Sequence, residues 1–267
     1  MAPQSSPESV SVHHEAGVAT VRLERPEAMN ALNIATKESL LASLTGVASD
    51  PQVRCVVLTG SGDAFSVGQD LKEHVGLLTE APEQVWRTVR EHYNPIVQLL
   101  AEMDKPVIAA LNGVAAGAGA SFAFAADLRY LADTAGFTLA FAGVALSCDS
   151  GASWTLPRLV GTAKAKELMM LGGRLDAAQA LALGLATAVV PAAELEAHVA
   201  QIAQRLAAGP TLALGSIRRA VAFSASADLA ASLEYEAELM DRTGSSQDHA
   251  AAVASFLAKR PPEFTGS

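Results

Sequence analysis

Two continuous apolar runs, each followed by a glycine-rich stretch, constrain the fold of this chain most strongly. VRCVVLTG spans 53–60 and PVIAALNG spans 106–113. A run of β-branched and aliphatic residues that ends at glycine is typical of a strand buried on both faces of a parallel sheet. Both runs lead through small residues into helical patterns. Such alternation with short connections predicts a parallel α/β fold.

The remaining segments extend this prediction along the chain. VSVHHEAGVATVRLER, at 10–25, predicts two strands joined by a turn at Ala16-Gly17. After residue 160 the pattern is mostly helical and is interrupted by one strand, LATAVV, at 185–190. The predicted helices cover 34–48, 83–103, 117–126, 163–171, 176–184, 193–207, 211–222, 228–242 and 246–259. The sequence therefore predicts an α/β core followed by a helical C-terminal part.

Composition and charge argue against several classes of protein. Half of the residues are hydrophobic and 18% are charged, and the net charge of −9 comes without a Lys/Arg cluster, so no nucleic-acid partner is expected. The apolar stretch 106–126 is punctuated by Asn112 and glycines, so no membrane span is expected. Cys55 and Cys148 lie far apart and the N-terminus carries no signal-peptide pattern, so we expect reduced thiols and a cytoplasmic location. The six histidines have no metal-ligand spacing, and no metal site is expected.

The two glycine-rich stretches, GSGDAFSVGQDL at 60–71 and GVAAGAGASF at 113–122, share one arrangement. Each lies where a strand ends and a helix begins, and the first N–H groups of a helix have no intrahelical partner. Two such ends close together can stabilise a negatively charged oxygen. The alternative is that small residues only allow helix and sheet to pack closely. Neither stretch has the Lys-Ser/Thr ending of a phosphate-binding loop or a convincing dinucleotide pattern.

Four motifs occur in an order that identifies a family. They are ERPEAMNALN (24–33), VVLTGSGDAFSVGQDL (56–71), KPVIAALNGVAAGAGASFAFAADLRYLAD (105–133) and CDSGASWTLPRLVG (148–161). Together they resemble the crotonase (enoyl-CoA hydratase/isomerase) superfamily, and the similarity runs from Val10 to Phe264. The resemblance implies an α/β spiral core of ββα repeats with a helical C-terminal trimerisation region. We expect a disordered tail at 1–9, an acyl-CoA-binding core at 10–200 and the helical region at 201–267.

The resemblance implies a catalytic arrangement. The backbone N–H groups of Gln69 and Ala118 match the two that hold a thioester oxygen in this family. The two glutamates of family hydratases match Ser121 and Phe141, neither of which can act as an acid or base. Asp149 matches the catalytic aspartate of family isomerases and of 4-chlorobenzoyl-CoA dehalogenases. The alternative for Asp149 is a capping role at a helix beginning near residue 150.

The family resemblance also implies a reaction class. The motifs are most similar to isomerases that act on ring-1,2-epoxyphenylacetyl-CoA, which implies an acyl-CoA isomerase with one aspartate that moves a proton. An enoyl-CoA hydratase, a lyase, is the second interpretation. A non-catalytic acyl-CoA-binding subunit is the third. The sequence does not identify the acyl group, since 72–95, which would shape its pocket, is the least recognisable segment.

The resemblance further suggests which residues surround the substrate. Coenzyme A enters as part of the thioester, so no separate cofactor is expected, and the partner is a second and third copy of the chain, as a homotrimer or a dimer of trimers. Apolar side chains expected along the acyl group, with core packing as the alternative, are Phe65, Val67, Phe141, Val144 and Leu146. Residues expected to bind coenzyme A are Arg25, Ala28, Asp63, Ala64, Ser66, Gln69, Asp70, Leu71, Phe256 and Lys259. For Lys259 a solvated charge at a helix end is the equal alternative, and Asp70 and Asp127 are expected to be mainly structural.

Overall fold

The computed structural model describes residues 9–139 and 141–267, and its centre is a six-stranded sheet. The strands lie in the order β1-β2-β3-β5-β7-β10, and all neighbours are parallel except the β1–β2 hairpin. Their bounds are Val10–Glu15 (β1), Val18–Leu23 (β2), Cys55–Gly60 (β3), Val107–Leu111 (β5), Leu128–Ala132 (β7) and Ala188–Val190 (β10). The predicted hairpin and the two predicted buried strands are confirmed.

A second, smaller sheet lies beside the first. Its strands, in the order β4-β6-β8-β9, each have three residues, with bounds Ala64–Ser66 (β4), Val114–Ala116 (β6), Gly136–Thr138 (β8) and Arg174–Asp176 (β9). β4 follows β3, β6 follows β5 and β8 follows β7, so a long strand and a short strand repeat along the chain. This repetition is the ββα pattern that the resemblance implied. Residue patterns alone did not predict the short strands, since three residues carry no measurable periodicity.

Eleven α-helices occur in the part of the chain that the structure describes. Their bounds are Ile34–Ser49 (α1), Leu71–Glu80 (α2), Asn94–Glu102 (α3), Ala118–Ala125 (α4), Ala152–Val160 (α5), Thr162–Leu171 (α6), Ala177–Ala182 (α7), Leu195–Ala207 (α8), Thr211–Ser224 (α9), Leu229–Gly244 (α10) and Gln247–Leu257 (α11). None of them is long and apolar enough to cross a membrane.

The predicted helix at 83–103 is wrong in its first part. Residues 82–86 form turns, a π-helical segment covers Val89–Tyr93, and α3 follows directly. In the turn segment Val85 is 2% exposed and Trp86 packs on His74, so tertiary packing and not helical periodicity sets the conformation there. Pro95 cannot donate to the carbonyl one turn earlier, and this interrupts regular α-helical bonding next to the π-helical segment.

The core lies between the large sheet and the helices packed on it. Ala19, Val21 and Leu23 are fully buried along one face of β2, as their alternation predicted. The predicted boundary between 200 and 201 falls inside α8, which contributes Val199 and Ala203 to the same core. The predicted tail at 1–9 lies outside the described residues apart from Ser9. The carbonyl of Ser9 accepts a hydrogen bond from the N–H of Glu24, the residue that follows β2.

The C-terminal segment is anchored to the rest of the molecule. The buried carboxylate of Asp248, in α11, accepts hydrogen bonds from the N–H groups of Thr265 (2.7 Å) and Gly266 (2.9 Å). Arg54 donates to the carbonyl of Phe264 at 3.0 Å. The chain end is therefore tied to both the last helix and the start of β3.

Candidate active site

The two glycine-rich loops that follow β3 and β5 touch each other through their backbones. A Cβ on Gly68 would lie 2.7 Å from the carbonyl oxygen of Ala116 and 3.2 Å from the nitrogen of Ala118. A Cβ on Gly119 would lie 2.4 Å from the carbonyl oxygen of Ser66. The close packing that the sequence offered as an alternative is therefore present, and it brings the two loops together.

This contact places the N–H groups of Gln69 and Ala118 on neighbouring loops. Ala118 is the first residue of α4, so helix geometry leaves its N–H without an intrahelical acceptor. For Gln69, the preceding carbonyl, of Gly68, accepts from Leu32 N–H at 2.8 Å. Because C=O and N–H point in opposite directions within one peptide plane, the N–H of Gln69 points away from Leu32. It donates no hydrogen bond to the residues that the structure describes.

Asp149 is half-buried at the start of the segment that leads into α5. The hydroxyl of Ser150 donates to its Oδ1 at 2.8 Å. Burial raises the pKa of Asp149, and this hydrogen bond partly opposes the rise. The predicted capping alternative is wrong: α5 begins at Ala152 with Gly151 as its N-cap, and no side-chain cap is formed. The carboxylate is thus not engaged in holding the helix.

Ser150 has a backbone conformation that is rare for its type. Its φ is +52° and Gly151 follows with φ of +72°. Left-handed conformations at non-glycine residues cost roughly 1–3 kcal/mol and occur often at functional sites. Ser150 is buried, and its conformation directs the hydroxyl at Asp149.

Ser121 and Phe141 stand at the two positions that match the family's hydratase glutamates. Ser121 is fully buried in α4 and donates its hydroxyl to the carbonyl of Gly117 at 3.2 Å. Phe141 is 9% exposed and precedes a 3₁₀ turn at Ala142–Val144. The hydroxyl is committed to the first turn of its own helix, and the phenyl ring carries no proton-transfer group.

The side chains expected along the acyl group differ in burial. Phe65 is fully buried in the core, and Val67 is half-buried. Val144 and Leu146 are 55% and 40% exposed on the turn after Phe141. In the single chain this side of the site is therefore open to solvent. Two cavities, of about 590 Å³ between the sheet and α8 and about 850 Å³ between α4 and α9, lie elsewhere.

Asp70 has the structural role that the sequence predicted. Its carboxylate caps α2 by accepting from the N–H groups of Lys72 and Glu73, and it pairs with Arg25 at 3.0 Å. Burial alone would raise the pKa of Asp70, but the hydrogen bonds from Arg25 and from the backbone outweigh it and lower the pKa. Asp127 is likewise structural, since it accepts from Val107 N–H at 2.7 Å.

The residues expected to bind coenzyme A are divided between buried and exposed positions. Ala64 and Ser66 are 2% and 0% exposed on β4, so neither residue presents accessible surface to a ligand in this structure. Asp63 and Leu71 are exposed and Ala28 is half-exposed.

The two expected coenzyme A contacts from the C-terminal region lie at the end of α11. Phe256 is 82% exposed and Lys259 is exposed. Lys259 has φ of +53°, and its N–H donates to the carbonyl of Phe256 while Arg260 N–H donates to Ser255. This is the Schellman arrangement that ends a helix. Lys259 therefore terminates α11 with its backbone and leaves its side chain in solvent.

A buried polar cluster that the sequence interpretation missed lies against Gln69. The side-chain oxygen of Gln69 accepts from Tyr93 at 2.5 Å and from Lys37 at 3.1 Å, and Lys37 also donates to Thr88 at 2.8 Å. Burial lowers the pKa of Lys37, although the carboxylate of Glu73, 3.8 Å away, opposes this. The sequence does carry one indication of this cluster: Lys37 has helical spacing with Leu40, Leu44 and Val47, which are buried on the same side of α1.

The charge of Asp149 acts on Tyr93, a member of this cluster. Burial, and then the negative charges of Asp149 and Glu73, raise the pKa of Tyr93 far above its usual value. The phenol therefore remains a hydrogen-bond donor at physiological pH. Its ring meets Phe122 of α4 edge-on, with 6.0 Å between centroids. Tyr93 thus touches residues that belong to both loops.

The side chains of His74, Trp86 and His92, in the segment 72–95, and of Cys148 have ordinary surroundings. His74 and Trp86 pack edge to face with 5.7 Å between ring centroids. His92 lies 3.2 Å from the hydroxyl of Thr88. Cys148 is half-buried next to Asp149 and is a free thiol.

Comparison with known proteins shows the family of the chain. The family described as Enoyl-CoA hydratase/isomerase matches residues 13–267. The chain is 40% identical over 259 residues to the 1,2-epoxyphenylacetyl-CoA isomerase of Escherichia coli (strain K12), covering 97% of this chain and 99% of the relative. It is 41% identical to a Rhodobacter capsulatus protein named "Probable enoyl-CoA hydratase", covering 94% and 95%. A solved structure from Mycobacterium abscessus, described as "putative Enoyl-CoA hydratase/isomerase", superposes with a TM-score of 0.92 at 42% identity, covering 97% of this chain and 100% of that one.

Proposed function

Since the chain belongs to the enoyl-CoA hydratase/isomerase (crotonase) family, we propose that it is an isomerase of acyl-CoA thioesters. In this proposal the N–H groups of Gln69 and Ala118 bind the thioester oxygen, and Asp149 moves a proton. One observation carries the choice of reaction: Asp149 is a half-buried carboxylate whose negative charge contributes to the raised pKa of Tyr93, whereas Ser121 and Phe141 occupy the positions where a hydratase needs acids.

The two N–H groups supply the electrostatic part of the reaction. When a proton leaves the carbon next to the thioester carbonyl, negative charge moves onto the carbonyl oxygen as an enolate forms. Fixed N–H donors aimed at that oxygen stabilise the charge without reorganisation, and one such donor contributes roughly 3–4 kcal/mol in other enzymes. The donors therefore lower the barrier to removing the proton.

Asp149 supplies the proton-transfer part. With a 3-enoyl-CoA, the carboxylate takes a proton from C2, the electrons delocalise over C1 to C4, and the acid returns the proton to C4. The double bond then lies between C2 and C3, and the carboxylate is regenerated. Burial raises the pKa of Asp149, which makes it a stronger base than an exposed aspartate. No water is consumed, so a single carboxylate is sufficient.

The substrate is proposed to be either a 3-enoyl-CoA or ring-1,2-epoxyphenylacetyl-CoA, which rearranges to a seven-membered oxepin. The name of the Escherichia coli relative supports the second. The side chains of Phe141, Val144 and Leu146 are proposed to face the acyl group, with Val67 and Phe65 behind them.

Coenzyme A is proposed to lie along 25–30 and 63–69. Leu71 faces it, and Phe256 and Lys259 reach it from a neighbouring copy in a trimer. Exposed apolar side chains on the last three helices support such an assembly; they include Ile217, Val221, Leu233, Met240 and Phe256. Light scattering coupled to size-exclusion chromatography measures the mass directly, and a monomer would contradict this part.

The test of the proposed reaction measures turnover of three thioesters by the wild type and by Asp149→Asn. They are a 2-enoyl-CoA for hydration, a 3-enoyl-CoA for the double-bond shift and enzymatically generated epoxyphenylacetyl-CoA. Asp241→Asn, at an exposed position of α10, is the matched control. Loss of a general acid–base group costs about 10²- to 10⁴-fold in rate. We expect that loss for isomerisation by Asp149→Asn and none for the control.

Two outcomes would replace the proposal. Rapid hydration of the 2-enoyl-CoA that survives Asp149→Asn would assign the protein as a hydratase, as the name of the Rhodobacter capsulatus relative suggests. Binding of all three thioesters without turnover would assign it as a non-catalytic acyl-CoA-binding subunit.

A further inference from the structure

Gln69 is held by its side chain as well as by its backbone. Its Oε1 accepts two hydrogen bonds, from the hydroxyl of Tyr93 and from the ammonium group of Lys37. The two residues that flank Gln69 are both hydrogen-bonded to Leu32. The carbonyl of Gly68 accepts from the N–H of Leu32, and the N–H of Asp70 donates to the carbonyl of Leu32. The orientation of the residue 69 peptide is therefore determined from two sides.

Lys37 is an unusual residue for such a position. Its side chain is 1% exposed, and a buried ammonium group without partners is strongly unfavourable. Among the described residues, the polar and charged partners of its ammonium group are Gln69, Thr88 and Glu73. The ring of Tyr93 also lies near it, with 5.4 Å between the ring centroid and Nζ. The burial of this charge is thus compensated by the same cluster that holds Gln69.

The π-helical segment is an independent observation that points to the same place. Residues three and four apart share a face of an α-helix, but Thr88 and Tyr93 are five apart. The wider turn of Val89–Tyr93, closed by an Asn94 N–H to Val89 C=O bond, brings both hydroxyls into the Lys37–Gln69 cluster. Single π turns within helices occur frequently at functional sites.

Building on the function proposed above, we propose that Lys37 and Tyr93 are positioning residues for the oxyanion-binding N–H of Gln69. They hold the Gln69 side chain so that its backbone N–H stays directed at the thioester oxygen as charge develops there. Neither residue is assigned a contact with the substrate. Their effect is therefore expected on the rate of the chemical step more than on substrate binding.

The experiment is a double-mutant cycle on the isomerisation of a 3-enoyl-CoA. The variants are Lys37→Met, Tyr93→Phe and Gln69→Ala, alone and in pairs with Gln69→Ala. Gln69→Ala keeps the backbone N–H but removes the side chain through which the other two act. Lys105→Met is the matched control, because Lys105 is also a buried lysine but donates to carbonyls of Val47 and Asp50.

We expect Lys37→Met and Tyr93→Phe each to lower kcat about ten-fold with KM changed less than two-fold. In the Gln69→Ala background each should lower kcat less than two-fold, since the shared intermediary is absent. Lys105→Met should lower the melting temperature and leave kcat unchanged. Tyr93→Phe keeps the buried ring, so it tests the idea even where Lys37→Met does not fold.

Equal losses in both backgrounds would show that Lys37 and Tyr93 act independently of Gln69 and would overturn the inference. Unchanged kcat in both single variants would also overturn it. Either result contradicts only the positioning role, provided that the wild type isomerises the substrate and Asp149→Asn does not. If the wild type has no isomerase activity, the proposed function itself is contradicted.

Discussion

A Cβ on Gly68 would lie 2.7 Å from the carbonyl oxygen of Ala116, so the loops after β3 and β5 are in direct backbone contact. Gly68 also has φ of +79°, a conformation that L side chains rarely adopt. Two separate constraints therefore require glycine at this position.

Gly68→Ala should destabilise the protein and reduce turnover together. The left-handed backbone alone costs about 1–3 kcal/mol for a non-glycine residue, and the contact with Ala116 forces the loops apart. Gly76→Ala is the control, because nothing lies within 4 Å of that position in α2 and alanine is the better helix former by about 1 kcal/mol. Denaturant unfolding and isomerase turnover measure both effects. Equal stability of the two variants would contradict the contact.

Asp149→Asn should make the protein more stable at neutral pH. Burial raises the pKa of Asp149 in the folded state, so the folded protein holds this proton more tightly than the unfolded chain. Protonated Asp149 therefore stabilises the folded protein at pH values below the pKa that the group has in the unfolded chain. This stabilisation is lost as the pH rises through the pKa that Asp149 has in the folded protein. Removing the charge should therefore raise the melting temperature above that pH range. The difference should shrink at acid pH, and a variant less stable than the wild type at pH 8 would contradict it.

The acid limb of the pH–rate profile should report Asp149. Activity should rise with pH as the carboxylate loses its proton, at a pH above the usual aspartate range because burial raises the pKa. Ser150→Ala removes the hydrogen bond that lowers this pKa, so the limb should move to higher pH. A limb that moves to lower pH in Ser150→Ala would exclude this assignment.

The two cysteines should differ in reactivity towards a thiol reagent. Burial, followed by the charge of Asp127, raises the pKa of Cys55 to about 12, so it carries no thiolate at neutral pH. Cys148 is half-buried beside Asp149. One thiol should react in the native protein and two after denaturation, and a bound acyl-CoA should slow the first. The Cys148→Ser variant should show no fast reaction, and rapid labelling of Cys55 in it would contradict the burial.

Much of the molecule could be predicted from the sequence because its signals are local. The buried runs that became β3 and β5 have continuous apolar composition, and the small residues at Gly68 and Gly119 marked the close approach of two backbones. The family resemblance added the ββα repeat and named Asp149. In contrast, the three-residue strands and the turn at 82–86 could not be predicted, because their conformation depends on packing against distant segments.

By itself the sequence determined the two buried strands that lead into the glycine-rich loops, and its family resemblance predicted that Ser121 and Phe141 stand in place of two acids while Asp149 remains. Only the tertiary structure decided that Asp149 does not cap α5, since capping depends on the backbone of 150–151 rather than on residue type. It alone also joined Lys37, Gln69 and Tyr93, which are separated by up to 56 positions and come from three elements. Hydrogen bonds between distant segments depend on the three-dimensional path of the chain, and no local pattern records that path.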